Sequence, residues 1–435
     1  MLEKAGKVRN LLVPLTVLLA SVVPPVVDVG DLTPVIDVGG LAPVIDVGGL
    51  PPLAVPGELV PVGRAKSFWL HLNSTPVSDE TIAVEAKRRA HVVLNAWEGD
   101  LLRKLKTANP AVKVYVYKDL SSTRSYACKN GKDDEHLPAG LGYCAVRKSN
   151  PEWFLKGADG RELEYGGYEG HSQMDVGNPE YRKAWVDSVV KTSKATGFDG
   201  VFLDNALYKC DAYHAGKCPA KYPDDRSFQN AYKGMLAEVQ RGFAAAGLLS
   251  VGNLTNARLH AGGWEAYVAH LDGAFDEWWL TFSSDRRLED YAEGWSRQVA
   301  QIALNEAHDK MIWVQPHFDV GDTTAFRYAL ASLFMTTTGD TAIAEIAKTD
   351  GYADPTAWHP EYDWHLGYPA GSYRKVADKV YRRDFTCGVA LVNANPTGSP
   401  AVQVPLHRTY TDHDGKAVTS VSLRGTTGAL LRAKC

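Results

Sequence analysis

A chain of 435 residues, 45% hydrophobic and 23% charged, is sized for one large globular domain with smaller attachments. Its formal charge is −4 and its lysines and arginines are scattered, which excludes a phosphate-tracking surface; nucleic acid is not an expected partner. Eleven Trp and twenty Tyr supply rings that fill cores and also stack on sugar faces.

The chain opens with Lys4, Lys7 and Arg9 ahead of the apolar run LLVPLTVLLASVV. Residues 1–23 therefore read as a hydrophobic segment, either signal-like or a docking arm. Pro24-Pro25 ends it too early for a membrane span. A nonapeptide repeat follows, PVVDVGDLT, PVIDVGGLA, PVIDVGGLP, with Gly and Pro at fixed offsets. Three such copies bury too little to form a core, so residues 24–63 are expected to be an extended tether or an oligomerising stalk.

From Lys66 the pattern alternates strands with helices. KSFWLHLN, HVVLNAW, KVYVYKDL, FDGVFLDN, LLSVGNLT, LDGAFDEWW, MIWVQPHF and TAIAEI read as strands. Helices are expected over 79–89, 100–108, 179–196, 225–246, 258–270, 285–308 and 323–337. Asn178-Pro179 suits a helix start, and Gly197 and Gly247 suit helix ends. The fold class is α/β, a (β/α)₈ TIM barrel over residues 64–372. No Gly-rich phosphate turn follows the first strand, which disfavours a doubly wound sheet. Residues 121–173 form a long elaborated loop. Residues 373–435, with alternating strands and an Asp414-Gly415 turn, are expected to be a C-terminal all-β sandwich.

The six cysteines group locally: Cys128 with Cys144, Cys210 with Cys218, Cys387 with Cys435. No CxxC is present, so disulfides are expected over a zinc site, together with an extracytoplasmic location. Pairing by proximity is one choice among many that six cysteines permit.

Barrel enzymes build their sites where strands end. In order, these ends carry Asn73; Asn95 and Trp97; Asp119; Asp204-Asn205; Asn253; Asp276-Glu277; Gln315 and His317; and Glu345. Nearly every strand finishes in a group able to bond a hydroxyl or carry a proton. Asp204 on the fourth strand and Glu277 on the sixth would face each other across the mouth, the paired carboxylates that glycoside hydrolysis requires. Strand alternation points only one of Asp276 and Glu277 inward. Asp119, Asp175, Asn205, Asn253, Asp276, Trp278, Gln315, His317 and Trp97 are candidate substrate contacts, with capping competing at Asp175 and an ion pair at Asp119. Trp279 and Trp313 read mainly as core. The histidines form neither HxH nor HExxH, and no metal or other cofactor is expected.

GFDGVFLDN, preceded by MDVGNPEYRKAW and followed by LDGAFDEWW, resembles the hypothetical glycosyl hydrolase 15 group, (β/α)₈ proteins similar to the endo-α-1,4-polygalactosaminidases and, more distantly, to the α-galactosidase superfamily. RRDFTCGVALVNANP resembles the β-sandwich that follows many such barrels. The likeness runs from about Lys66 to Ala433. It implies that Asp204 is a nucleophile, Glu277 an acid/base, and a polysaccharide or oligosaccharide the substrate. The hydrophobic N-terminus and the repeat leave an alternative: a phage tail-tip or fibre protein that binds or trims host glycans, with homo-oligomer or virion assembly through the repeat.

Overall fold

The computed structural model describes residues 64–435 apart from 255–256, 340, 348–351 and 353. The expectations for residues 1–63 lie outside the described residues. Eight parallel strands form one sheet: β1 (Phe68–His71), β2 (His91–Leu94), β3 (Lys113–Asp119), β4 (Gly200–Asp204), β5 (Leu249–Asn253), β6 (Gly273–Asp276), β7 (Met311–Val314) and β8 (Thr341–Ile343). They neighbour one another in chain order, and a parallel bridge between Lys66 and Ala342 brings the last strand back to the first. This is a (β/α)₈ barrel, and its eight strands fall within the eight stretches expected from the sequence.

Period-two alternation sorts the strand residues into two cores. Outward side chains such as Val92, Val114, Val201, Ala274 and Ile312 join a buried cluster with helix residues Leu105, Val189, Met235 and Ile302. Inward side chains build an aromatic plug centred on Trp313. Phe68 stacks on it at 5.6 Å, Tyr115 meets it edge-on at 5.0 Å, and Phe202 lies at 6.2 Å. The plug fills the barrel interior, so polar chemistry is confined to the layer above it.

The helix ends follow local chemistry. Helix Pro179–Thr196 begins where the Asn178 side chain accepts the amides of Glu180 and Tyr181, and it ends at Gly197 with φ 94°. Helix Asp225–Ala246 is capped by Asp224 and closed by Gly247 at φ 68°. Two helical expectations need correction. The 258–270 stretch is a 3-10 turn, Ala257–Leu259, then a short helix, Gly263–Val268, separated at Gly262, whose φ is 72°. The helix expected from 285 begins at Trp295, because Thr281–Ser283 and Arg286–Arg287 pair as an antiparallel hairpin.

The C-terminal residues form a six-stranded antiparallel sheet: β9 (Arg374–Ala377), β10 (Val380–Phe385), β11 (Gly388–Asn393), β12 (Val402–Thr411), β13 (Ala417–Leu423) and β14 (Thr427–Arg432), ordered β9-β10-β11-β14-β12-β13. One face packs on helix Thr323–Leu333. Gly428 permits that approach, since a Cβ there would lie 2.7 Å from the Arg327 carbonyl oxygen. The other face encloses a cluster that includes Val389, Leu391, Val404, Tyr410 and Leu423. Disulfides join Cys128 to Cys144, Cys210 to Cys218 and Cys387 to Cys435.

Candidate active site

Alternation carries the inward rows of the barrel one step above the plug. Phe202 leads to Asp204, Val251 to Asn253, Phe275 to Glu277, and Trp313 to Gln315, and all four upper residues meet in one hydrogen-bonded group. The Asn253 amide is its centre. Its Nδ2 donates to Asp204 Oδ1 at 3.2 Å and to Glu277 Oε2 at 3.0 Å, so those two oxygens lie at most 6.2 Å apart. Tyr117 donates to Asp204 Oδ2 at 2.7 Å. The Tyr352 hydroxyl lies 3.1 Å from Glu277 Oε1 and 3.3 Å from Gln315 Oε1. With a single proton to give, that hydroxyl donates to one of these two acceptors at a time.

Both carboxyls are buried and both are pushed up. Desolvation, then the Asp119 charge, raises Asp204 to about 6 against the hydrogen bonds from Tyr117, the Asn205 amide and Asn253. Desolvation, then the Asp204 charge, raises Glu277 to about 7, opposed by Asn253 and Tyr352. Near neutral pH the pair therefore holds about one proton, and Glu277 is its preferred carrier.

Other expected residues surround this centre in distinct ways. Asn205, at φ 59°, turns its Nδ2 to Asp119 Oδ2 at 2.9 Å and to Asp204 Oδ2 at 3.5 Å. Asp119 accepts the Ser121 and Ser122 amides and pairs with Arg124 at 2.9 Å, so its carboxylate is fully engaged within the fold. Asp276 points out of the barrel and pairs with Arg258 at 3.0 Å. Asp175 is buried against Tyr222 and Lys221, away from the Asn253-centred group, where it ties the loop after β4 to the chain entering helix Pro179–Thr196. His317 Nε2–H donates to the Glu277 carbonyl at 2.5 Å while its ring stacks on Trp278 at 3.6 Å. Burial lowers His317 to about 4, so it is a neutral brace for the Glu277 backbone. Trp97 is 37% exposed, and its indole is fixed by a 2.8 Å bond to Ser74 Oγ. Glu345 is held by His359 at 2.6 Å and Tyr362 at 3.1 Å.

Sequence reasoning missed Tyr117 and Tyr352. Tyr117 was findable, because it lies two residues before Asp119 and shares its inward face. Tyr352 was not. It lies in the loop beyond β8 at φ 60° and reaches Glu277 from 75 positions away in the chain.

A closed parallel barrel whose mouth holds two buried carboxyls, both raised and joined through one amide, is the arrangement of a glycoside hydrolase. Residues 106–389 match the family described as hypothetical glycosyl hydrolase family 15, and the chain belongs to that family. No curated protein matches it. Among solved structures, the chain is similar to the glycoside hydrolase domain of PelA from Pseudomonas aeruginosa, at 13% identity and TM-score 0.40, covering 70% of this chain and 98% of that one. It is similar to an alpha-amylase from Geobacillus thermoleovorans, at 11% identity and TM-score 0.47, covering 85% and 99%. An alpha-amylase from Malbranchea cinnamomea gives 9% identity and TM-score 0.48, covering 85% and 97%.

Proposed function

We propose that this glycoside hydrolase cleaves a cell-surface or extracellular polysaccharide with Asp204 as nucleophile and Glu277 as acid/base, by a retaining route. The observation that carries the reading is the Asn253 amide shared by the two carboxyls. A pair held within reach of one amide matches the ~5–5.5 Å of a double-displacement site better than the ~6.5–9.5 Å that seats a water between them. In the first step Glu277 gives its proton to the glycosidic oxygen. The bond from that oxygen to the anomeric carbon breaks, and Asp204 Oδ bonds to the carbon. In the second step Glu277, now ionised, takes a proton from water, whose oxygen displaces Asp204 and restores both groups. Asn253 holds the pair in register, Tyr117 supports the ionised Asp204, and Tyr352 follows the changing charge on Glu277.

Three disulfides favour an extracytoplasmic destination. Asn205 and Gln315 contribute amides at the floor, while Trp278 and the fixed indole of Trp97 offer ring faces to a glycan. Asp119, Asp175 and Asp276 act by holding the loops that carry these groups. A second reading, a phage tail-tip or fibre protein using the same barrel on host glycans, is favoured by the nonapeptide repeat at 25–51. A stable oligomer that depends on residues 1–63 would select it.

The test is covalent trapping with a panel of 2-deoxy-2-fluoroglycosyl fluorides, followed by peptide mass analysis. Label on Asp204, absent in Asp204→Asn, is the expected outcome. Label on another carboxyl, or anomeric inversion in the released product, would overturn the assignment.

A further inference from the structure

Tyr168 belongs to no part of the mechanism above, yet its phenolic oxygen is buried and has no hydrogen-bond partner. The residue as a whole is only half-buried. It is carried on the elaborated loop after β3, with its amide donating to the Tyr165 carbonyl at 2.9 Å and its own carbonyl accepting from the His171 amide at 3.1 Å. The ring stands edge-on to Tyr213 at 5.6 Å and 90°. Tyr213 comes from the other braced loop, which follows β4, and donates its hydroxyl to Asn205 Oδ1 at 2.8 Å. The two loops are locked together where Tyr165 stacks on Tyr213 at 4.4 Å and the Gly166 amide bonds the Tyr213 carbonyl at 2.9 Å.

We infer that Tyr168 is a substrate-binding residue whose hydroxyl engages a ring hydroxyl of the sugar held between Asp204 and Glu277. This rests on the paired-carboxylate reading and adds the wall that recognises the reacting sugar. A buried hydroxyl without a partner is costly to keep unless something else completes it. Through Tyr213 and Asn205 the loop of Tyr168 is joined to the end of β4 beside Asp204, and the charges of both carboxyls reach its phenol. Burial and the charges of both Asp204 and Glu277 hold the phenol protonated well above its usual range, so it offers a donor at every working pH. Braced loops make the contact rigid, as a site that discriminates by one hydroxyl requires.

The experiment compares wild type, Asp204→Asn and Tyr168→Phe on the p-nitrophenyl glycoside that the wild type cleaves fastest, and on its monodeoxy analogues, with melting temperature as a control on folding. The expected result is loss of activity in Asp204→Asn and a loss of about tenfold in kcat/KM in Tyr168→Phe at a melting temperature no lower than that of wild type. On one deoxy analogue the two proteins with Asp204 intact should then become equal, because enzyme and substrate hydroxyls are removed as a pair. An inactive Asp204→Asn beside a Tyr168→Phe that matches wild type on every substrate would overturn the inference alone. So would a Tyr168→Phe penalty of the same size on all analogues. An Asp204→Asn protein as active as wild type would instead overturn the carboxylate reading, and the deoxy comparison would still decide the role of Tyr168.

Discussion

Asp119 and Asp204 sit opposite each other in the β3–β4 register, and only Asp119 has a cation. Arg124 takes Asp119 at 2.9 Å, whereas Asp204 accepts from Tyr117 and Asn253 and has no ion pair among the described residues. The difference bears on the proposed roles. A carboxylate neutralised by guanidinium is a poor nucleophile, while one supported by a phenol and an amide stays ionised and available. Arg124 satisfies the neighbour and leaves Asp204 free.

Removing the neighbour's charge should therefore move Asp204. Asp119→Asn takes away a negative group that raises it, and its proton affinity falls. The acid limb of the kcat/KM profile is expected to shift to lower pH. Arg124→Met, by contrast, strands a buried anion, at a cost of about 3–5 kcal/mol in urea unfolding. The Asp119→Asn/Arg124→Met double variant should recover most of that loss, and additive losses would show that the two side chains are not a pair.

The unmodified site should work in a narrow band. Asp204 must be ionised, which fails as pH falls through about 6, and Glu277 must be protonated, which fails as pH rises through about 7. The kcat/KM profile is expected to be a bell with its maximum between those limbs, and Glu277→Gln should abolish the alkaline one. A flat profile across this range would remove the pair from the rate equation.

Much of this site was legible in the sequence, and the reason is periodicity. Once the strands are placed, Phe202-x-Asp204 and Phe275-x-Glu277 put an aromatic in the plug and a carboxyl in the mouth, and the same rule turns Asp276 outward to Arg258. Loops obey no such rule. The Tyr352 contact with Glu277 and the hairpin at 281–287 depend on long-range closure and turn geometry, and neither leaves a short-range pattern. Asp175 shows the opposite hazard: a carboxylate in a site-like motif is spent on anchoring Lys221 and Tyr222.

Tyr352 gives the cleanest check on how Glu277 is tuned. Its hydrogen bond favours the ionised carboxyl and so opposes burial. Tyr352→Phe should raise Glu277 above about 7 and carry the alkaline limb upward, with kcat reduced by a few-fold because proton return from water is slower. A downward shift of that limb would mean that the hydroxyl donates to Gln315 alone.

The pair should also cost stability, with a definite sign in pH. Both carboxyls have folded-state proton affinities raised above their unfolded values, so the folded state binds protons more tightly. Their favourable contribution is fully present below about pH 4 and is lost as pH rises through about 6 for Asp204 and about 7 for Glu277. Raising Asp204 from the ordinary carboxylate range to about 6 corresponds to about 3 kcal/mol. Asp204→Asn removes this penalty while keeping an acceptor for Tyr117, and it also relieves Glu277 of the charge that raises it. Relative to wild type, Asp204→Asn should therefore gain about 2–3 kcal/mol more in urea unfolding at pH 8 than at pH 4. A variant whose stability difference from wild type is the same at both pH values would mean that burial does not raise Asp204 in the folded protein.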